Sequence, residues 1–161
     1  MRVLGIDPGI ARTGWGVVEN QKSKVKSQNF GCIQTDPKDE VQDRLKKIHG
    51  EVSRLIQEYS PDALAVEELF FNTNAKTAFV VGQARGVILL AAGEKNIPFA
   101  IYTPLQVKIA ITGYGRAEKT QIGKMVKTIL KLSSAPKLDD TADALAVGLT
   151  HLFSIRMKEK S

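Results

Sequence analysis

The chain has 161 residues, which suits one domain and is short for two. Its 43% hydrophobic and 25% charged residues are ordinary for a globular protein and exclude a disordered or fibrous class. A formal charge of +6 favours a polyanionic partner, although a soluble basic surface would have the same composition. We expect one domain over residues 1–156 and a frayed tail over 157–161.

The chain shows neither a disulfide framework nor a secretory pattern. Cys32 is the single cysteine, so no intramolecular disulfide can form, and its apolar neighbours suggest a core residue. The N-terminus has no signal-peptide pattern, and the apolar stretch 79–92 contains Arg85 and glycines and is short for a bilayer span. We therefore expect a cytoplasmic protein with no membrane partner.

The first half of the chain is predicted to begin with strands. Segments 2–7, 13–19 and 25–35 suggest a β-meander, because turn residues separate them. Apolar residues at helical spacing predict a helix over 40–59, and a short apolar run predicts a buried strand at 63–67.

The second half alternates between helices and one further strand. Helices are predicted at 75–95, 103–111, 119–132 and 140–153, and a strand at 98–102. Helix 75–95 is apolar enough to pack on a sheet or on another subunit. This order indicates an α/β domain.

Four carboxylates lie at positions from which they could form one cation site. Asp7 and Glu67 each end an apolar strand, while Asp140 and Asp143 are three residues apart in a first helical turn and share one side of it. His49 and His151 are predicted to be structural or surface residues. Oxygen ligands without His or Cys favour Mg²⁺ or Mn²⁺.

Each acidic position also has a structural explanation. Asp7 precedes Pro-Gly and could simply start a turn, and Asp140 and Asp143 could stabilise a helix N-terminus. Glu67 is harder to explain in this way, because a buried carboxylate needs a cation or a donor. The four positions together favour a functional site.

These residues carry a resemblance to the RuvC family of Holliday-junction resolvases over almost the whole chain. Its marks are Gly-Ile-Asp-Pro-Gly at 5–9, Thr-Gly-Trp-Gly at 13–16, Val-Glu at 66–67 with Phe70, Gly-Gln-Ala-Arg-Gly at 82–86, Gln-Val-Lys at 106–108, Ala-Glu-Lys at 117–119, and 140–146. The resemblance implies a ribonuclease H-like α/β fold, with a central mixed five-stranded sheet and helices on both faces.

The resemblance also implies the chemistry. Asp7, Glu67, Asp140 and Asp143 would be the catalytic carboxylates and would hold two Mg²⁺ ions per subunit, with Mn²⁺ able to substitute. The reaction would be two-metal hydrolysis of a DNA phosphodiester, leaving a 5′-phosphate and a 3′-hydroxyl. Lys119 would act beside the scissile phosphate. The doublets Glu67-Glu68 and Asp139-Asp140 leave a small ambiguity of assignment.

Aromatic and basic residues around this site are expected to bind DNA. Phe70 occupies the family's aromatic position and could stack on an unpaired base, although it could instead fill the core. The expected DNA contacts are Phe70, Lys76, Arg85, Lys108, Arg116, Lys119 and Lys124. A lysine-bearing helix face such as that of Lys124 can also be merely solvated.

The expected partners are four-way junction DNA and a second copy of the chain, and the resemblance implies a junction-binding protein and a branch-migration motor. The function would be structure-selective cleavage of Holliday junctions by paired symmetric nicks in recombination and DNA repair. Three alternatives remain: a phosphate-binding domain of the actin and sugar-kinase ATPase fold, a related nuclease that acts on RNA, and an inactive nucleic-acid-binding module. ATP binding would identify the first.

Overall fold

The computed structural model describes residues 1–21, 24–68 and 75–158. Five strands form one sheet: β1 (Arg2–Asp7), β2 (Arg12–Gln21), β3 (Lys24–Gln34), β4 (Ala63–Glu67) and β5 (Phe99–Tyr102). Their order across the sheet is β3-β2-β1-β4-β5. The pairs among β1, β2 and β3 are antiparallel, and β4 lies parallel to both β1 and β5. The predicted mixed five-stranded sheet is confirmed.

Helices cover both faces of this sheet. They are α1 (Val41–Tyr59), α2 (Ala75–Glu94), α3 (Pro104–Thr112), α4 (Lys119–Leu130) and α5 (Asp139–Lys158). Successive strand residues point to opposite faces. Leu4 and Leu64 therefore pack with α1 and α2, whereas Val3 and Ala65 pack with α3, α4 and α5. The two-faced arrangement is also as predicted.

The strand directions bring two of the carboxylates together. Because β1 and β4 are parallel and pair Ile6 with Val66, their last residues, Asp7 and Glu67, meet at the same edge of the sheet. A hydrogen-bonded sheet spaces neighbouring strands by about 4.8 Å, which is within reach of two carboxylate side chains.

Glycines let α5 lie directly on the sheet. A Cβ atom at Gly14 would lie 1.9 Å from the carbonyl oxygen of Asp140, and one at Gly5 would lie 2.1 Å from that of Ala144. Neither position can carry a side chain without displacing backbone. This close approach holds the N-terminus of α5 beside the end of β1 and the start of β2.

The sequence prediction placed the end of α5 too early. The helix continues to Lys158 rather than ending at 153, so residues 157 and 158 are helical, while 159–161 lie outside the described part. The apolar pattern stops near Phe153, but no glycine or proline follows to end the helix. Hydroxyl hydrogen bonds such as Ser154 to the Thr150 carbonyl, 2.8 Å, continue along it.

The apolar stretch in α2 is longer than the sequence prediction assumed. At 20 residues, α2 meets the length and composition of a membrane-crossing helix, so these two criteria alone do not exclude a span. Within the domain its Ala84, Ile88, Ala91 and Ala92 are fully buried against α1 and the sheet. Packing in a globular core therefore accounts for part of its apolar character.

Candidate active site

Asp7 and Glu67 form the floor of a pocket at the sheet edge. A side-chain hydrogen bond joins Asp7 and Glu67, and it opposes part of the rise in the pKa of Glu67. The pocket has a volume of about 280 Å³. It is lined by Asp7, Glu67, Pro104, Val107, Lys108, Lys119, Ile122 and Asp143.

The N-terminus of α5 adds Asp143 to this pocket. The N-terminus of α4 adds the basic partner of Asp143, which is Lys119. Lys119 Nζ donates to Asp143 Oδ2 at 3.1 Å. Burial raises the pKa of Asp143, and the hydrogen bond and charge of Lys119 oppose that rise. The same bond raises the pKa of Lys119, so its ammonium is retained at neutral pH. Lys119 thus brings a fixed positive charge to the pocket wall.

Asp140 faces a different cation. Arg12 Nε, from the start of β2, lies 3.0 Å from Asp140 Oδ2. The contact is an ion pair by distance but not a hydrogen bond, since the buried Oδ2 has no hydrogen-bond donor. It is a charge contact, which depends less on alignment than a hydrogen bond does.

Burial and mutual repulsion make the deepest carboxyls weak acids. The pKa of Asp7 is raised to about 8, first by burial and then by the charges of Glu67, Asp143 and Asp140. The pKa of Glu67 is raised to about 7 by burial and by Asp143. These groups hold protons near neutral pH because positive charge in the pocket is insufficient.

The donor set suits divalent metal ions, although the side chains are paired in other ways. Within residues 1–21, 24–68 and 75–158 no three Asp, Glu, His or Cys side chains are already arranged around one ion position. Instead the carboxylates bind Arg12, Lys119 and each other. A divalent ion would supply the missing positive charge and a partner for Asp140 Oδ2, and carboxylate oxygens are the ligands that Mg²⁺ prefers.

Other predicted site residues fall into three groups. Lys108 lines the carboxylate pocket, and Lys124 lines a neighbouring pocket with Lys119 and Asp143. Arg116 is exposed in the loop between α3 and α4, and Lys76 and Arg85 lie on α2 outside the lining of both pockets. Phe70 lies outside the described residues.

The remaining ambiguous residues also have positions. Asp139 lines the neighbouring pocket, whereas Glu68 lines neither, and its backbone N–H donates to the Tyr102 carbonyl at 2.8 Å. His151 Nδ1 lies 2.9 Å from the Tyr102 hydroxyl, and His49 Nε2 lies 2.9 Å from Glu94. Both histidines therefore have structural partners, as predicted.

Sequence reasoning missed Arg12. Its signal was its place three residues after the Asp-Pro-Gly turn, at the start of the strand that follows Asp7. That signal becomes interpretable only when β2 is known to pass under the first turn of α5.

Together, the fold and the site define an α/β protein of the ribonuclease H-like type, with acidic residues from two strand ends and a helix N-terminus beside a lysine. The model of the family described as Crossover junction endodeoxyribonuclease RuvC matches residues 3–151. The chain belongs to the RuvC family. Membership of this family excludes the alternative of a phosphate-binding domain of the actin and sugar-kinase ATPase fold.

Relatives and solved structures agree with this assignment. The chain is 54% identical to the RuvC of Desulforamulus reducens, covering 94% of this chain and 93% of that one. It is 51% identical to the RuvC of Finegoldia magna, covering 98% and 96%. The structure of Thermus thermophilus RuvC superposes with a TM-score of 0.92 at 40% identity, covering 98% and 97%. T. thermophilus RuvC in complex with Holliday junction substrate gives 0.93 at 41%, covering 98% and 96%.

Proposed function

We propose that this protein is a crossover junction endodeoxyribonuclease that resolves four-way DNA junctions in recombination and DNA repair. The observation that carries the proposal is the gathering of Asp7, Glu67 and Asp143 in one pocket, with Asp140 beside them, in a chain of the RuvC family. A T. thermophilus relative with the same fold was solved with a Holliday junction substrate, which supports the same substrate here.

Asp7, Glu67, Asp140 and Asp143 would hold two Mg²⁺ ions, and Mn²⁺ would substitute. When bound, such ions would supply Lewis acidity for hydrolysis of the phosphodiester, and the products would carry a 5′-phosphate and a 3′-hydroxyl. The chain's own contribution is geometric. It fixes two carboxylates on adjacent strands and two on one helical turn, where side-chain freedom is small.

Lys119 would stabilise the negative charge that develops on the scissile phosphate. Its Nζ already lies in the carboxylate pocket, 3.1 Å from Asp143, and keeps its proton there. Lys108, which also lines this pocket, would hold the same strand. Lys124 and Arg116 would bind the backbone beyond the pocket, Lys76 and Arg85 would contact DNA from α2, and Phe70 would stack on a base at the junction centre.

The active unit would be a homodimer formed through one face of α2. Phe79 and Leu90 on this helix are 71% and 55% exposed, although the helix is apolar. Phe99 and Ile101 on β5 are exposed as well, and they pair with Leu64 and Val66, which face the same side of the sheet as α2. An apolar surface of this kind indicates a protein interface.

A dimer also fits the geometry of the substrate. A four-way junction has approximate two-fold symmetry, and paired symmetric nicks need two sites related in the same way. The part of the chain that the structure describes has one such carboxylate set. We further propose that the dimer works in the cytoplasm with a junction-binding protein and a branch-migration motor, a proposal that rests on the family resemblance.

The function is tested by removing each carboxylate charge in turn. Asp7→Asn, Glu67→Gln, Asp140→Asn and Asp143→Asn should each abolish cleavage of a synthetic junction in Mg²⁺. Binding should survive, because affinity comes from phosphate contacts by Lys and Arg. Glu68→Gln is the matched control and should cleave normally, since its side chain lies outside the pocket. Normal cleavage by any of the four variants would remove that residue from the site.

A further inference from the structure

Arg12 is held at the edge of the carboxylate site by rigid surroundings. The neighbouring Thr13 is fully buried, and its hydroxyl donates to the Gly9 carbonyl at 2.6 Å, which fixes the turn before β2. The next residue, Gly14, packs against the backbone of Asp140. The Arg12 backbone therefore keeps a constant position relative to α5, while its side chain remains 54% exposed.

The two aspartates at the start of α5 have matching basic partners from other elements. Arg12 faces Asp140 at 3.0 Å, and Lys119 faces Asp143 at 3.1 Å. Lys119 makes a hydrogen bond, whereas the Arg12 contact leaves Asp140 Oδ2 without a donor. Arg12 thus contributes charge to Asp140 without holding it in one orientation.

We propose that Arg12 links metal binding to DNA binding. Its guanidinium neutralises Asp140 in the metal-free protein, gives up Oδ2 when a divalent ion takes that oxygen, and then binds a backbone phosphate of the junction. The inference rests on the proposed function, since it needs a metal ion at Asp140 and DNA at the same edge.

Electrostatics sets the direction of each step. A guanidinium and a divalent cation repel each other and compete for the same carboxylate oxygen, so Arg12 weakens metal binding in the absence of DNA. A guanidinium released from a carboxylate is well suited to bind phosphate oxygens in pairs. Because binding free energies are reciprocal, metal then strengthens DNA binding and DNA strengthens metal binding.

The first test measures Mn²⁺ affinity by isothermal titration calorimetry on the protein without DNA. Arg12→Gln should bind Mn²⁺ about 15-fold more tightly, as expected on removing a unit positive charge about 5 Å from a divalent ion in a water-like dielectric. Arg12→Lys should stay close to wild type, because it keeps the charge. Unchanged or weaker binding by Arg12→Gln overturns the proposal.

Arg54→Gln is the matched control. Arg54 is 53% exposed and also pairs with carboxylates, Glu51 and Glu58, but these lie on α1. Its loss should leave Mn²⁺ affinity unchanged. Asp140→Asn tests the metal site itself: if wild type binds Mn²⁺ no better than this variant, the proposed metal site fails, and the role of Arg12 fails with it.

The second test measures junction affinity by fluorescence anisotropy in Ca²⁺ and in EDTA, with strand integrity checked on a denaturing gel. Wild type should bind more tightly in Ca²⁺, and Arg12→Gln should lose most of that gain. The dependence of log K on log salt should also fall by about one unit for Arg12→Gln in Ca²⁺ alone. An equal gain in wild type, Arg12→Gln and Arg54→Gln contradicts the proposed phosphate contact.

Discussion

Asp7 and Glu67 lie where the fold removes them from water, and each loses solvation as a result. In the unfolded chain their pKa values are the ordinary 3.8 and 4.5, whereas in the folded, metal-free protein they rise to about 8 and about 7. At pH values between the unfolded and the folded pKa of each group, the folded state therefore binds more protons than the unfolded state. By linkage, the free energy of unfolding falls as pH rises through this window.

We predict that the metal-free protein becomes less stable between about pH 5 and pH 8. Asp7→Asn should flatten this slope and raise the free energy of unfolding at pH 8 by about 1 to 3 kcal/mol, since the amide carries no charge to bury. Chemical denaturation in EDTA across this pH range measures both effects. The exposed Asp43→Asn should keep the wild-type slope, and a wild-type stability that rises with pH would contradict the prediction.

Lys119 and Lys124 allow catalysis to be separated from binding, because one lies in the carboxylate pocket and the other outside it. We predict that Lys119→Ala lowers the single-turnover cleavage rate by about 100-fold or more while changing junction affinity little. Lys124→Ala should chiefly weaken binding. Rate at saturating protein and affinity by anisotropy give the two quantities, and equal losses in both for both variants would contradict the distinction.

Among the elements, α5 carries two of the four carboxylates. Its position depends on glycines in β1 and β2, which have no side chain to keep the helix away. A methyl group at Gly14 would strike the Asp140 carbonyl and force the first turn of the helix outward. A displacement of about 1 Å is enough to reduce catalysis strongly. The glycines of this contact are therefore part of the catalytic geometry, although they carry no functional group.

We predict that Gly14→Ala reduces cleavage by at least about 100-fold and lowers the free energy of unfolding by about 1 to 3 kcal/mol. Gly50→Ala is the control, because a Cβ there meets nothing within 4 Å and lies on a helix, where alanine is favoured. Cleavage assays and thermal unfolding compare the two. Gly14→Ala with wild-type activity would show that α5 tolerates displacement.

Helices and strands whose apolar residues recur at regular spacing were predictable from sequence. The site that these elements carry was predictable as well. The apolar runs ending at Asp7 and Glu67 identified two buried strands, and the spacing of Asp140 and Asp143 identified one helical face. The length of α5 was not predictable from its apolar period, since that period ends before the helix does. The pairing of Arg12 with Asp140 was hidden because it depends on tertiary packing between β2 and α5.

At the scale of the whole molecule, the exposed face of α2 predicts self-association. Leu90→Lys should raise the dimer dissociation constant by at least about 100-fold, because each of two symmetry-related leucines would be replaced by a charge in the interface. Ile109→Lys on α3 is the matched control, with 51% exposure against 55% for Leu90. Sedimentation velocity measures the change. If the two variants dimerise equally, the interface lies elsewhere.

The central claim is that one carboxylate site with divalent metal ions cuts four-way DNA junctions selectively. The most direct measurement incubates the purified protein with Mg²⁺ or EDTA on a synthetic four-way junction and, in parallel, on linear duplex, single strand and RNA/DNA hybrid of the same sequence. We predict paired symmetric nicks in the junction, only with Mg²⁺, and little cleavage of the other three substrates. Equal or faster cleavage of the RNA/DNA hybrid, or junction cleavage in EDTA, would contradict the account.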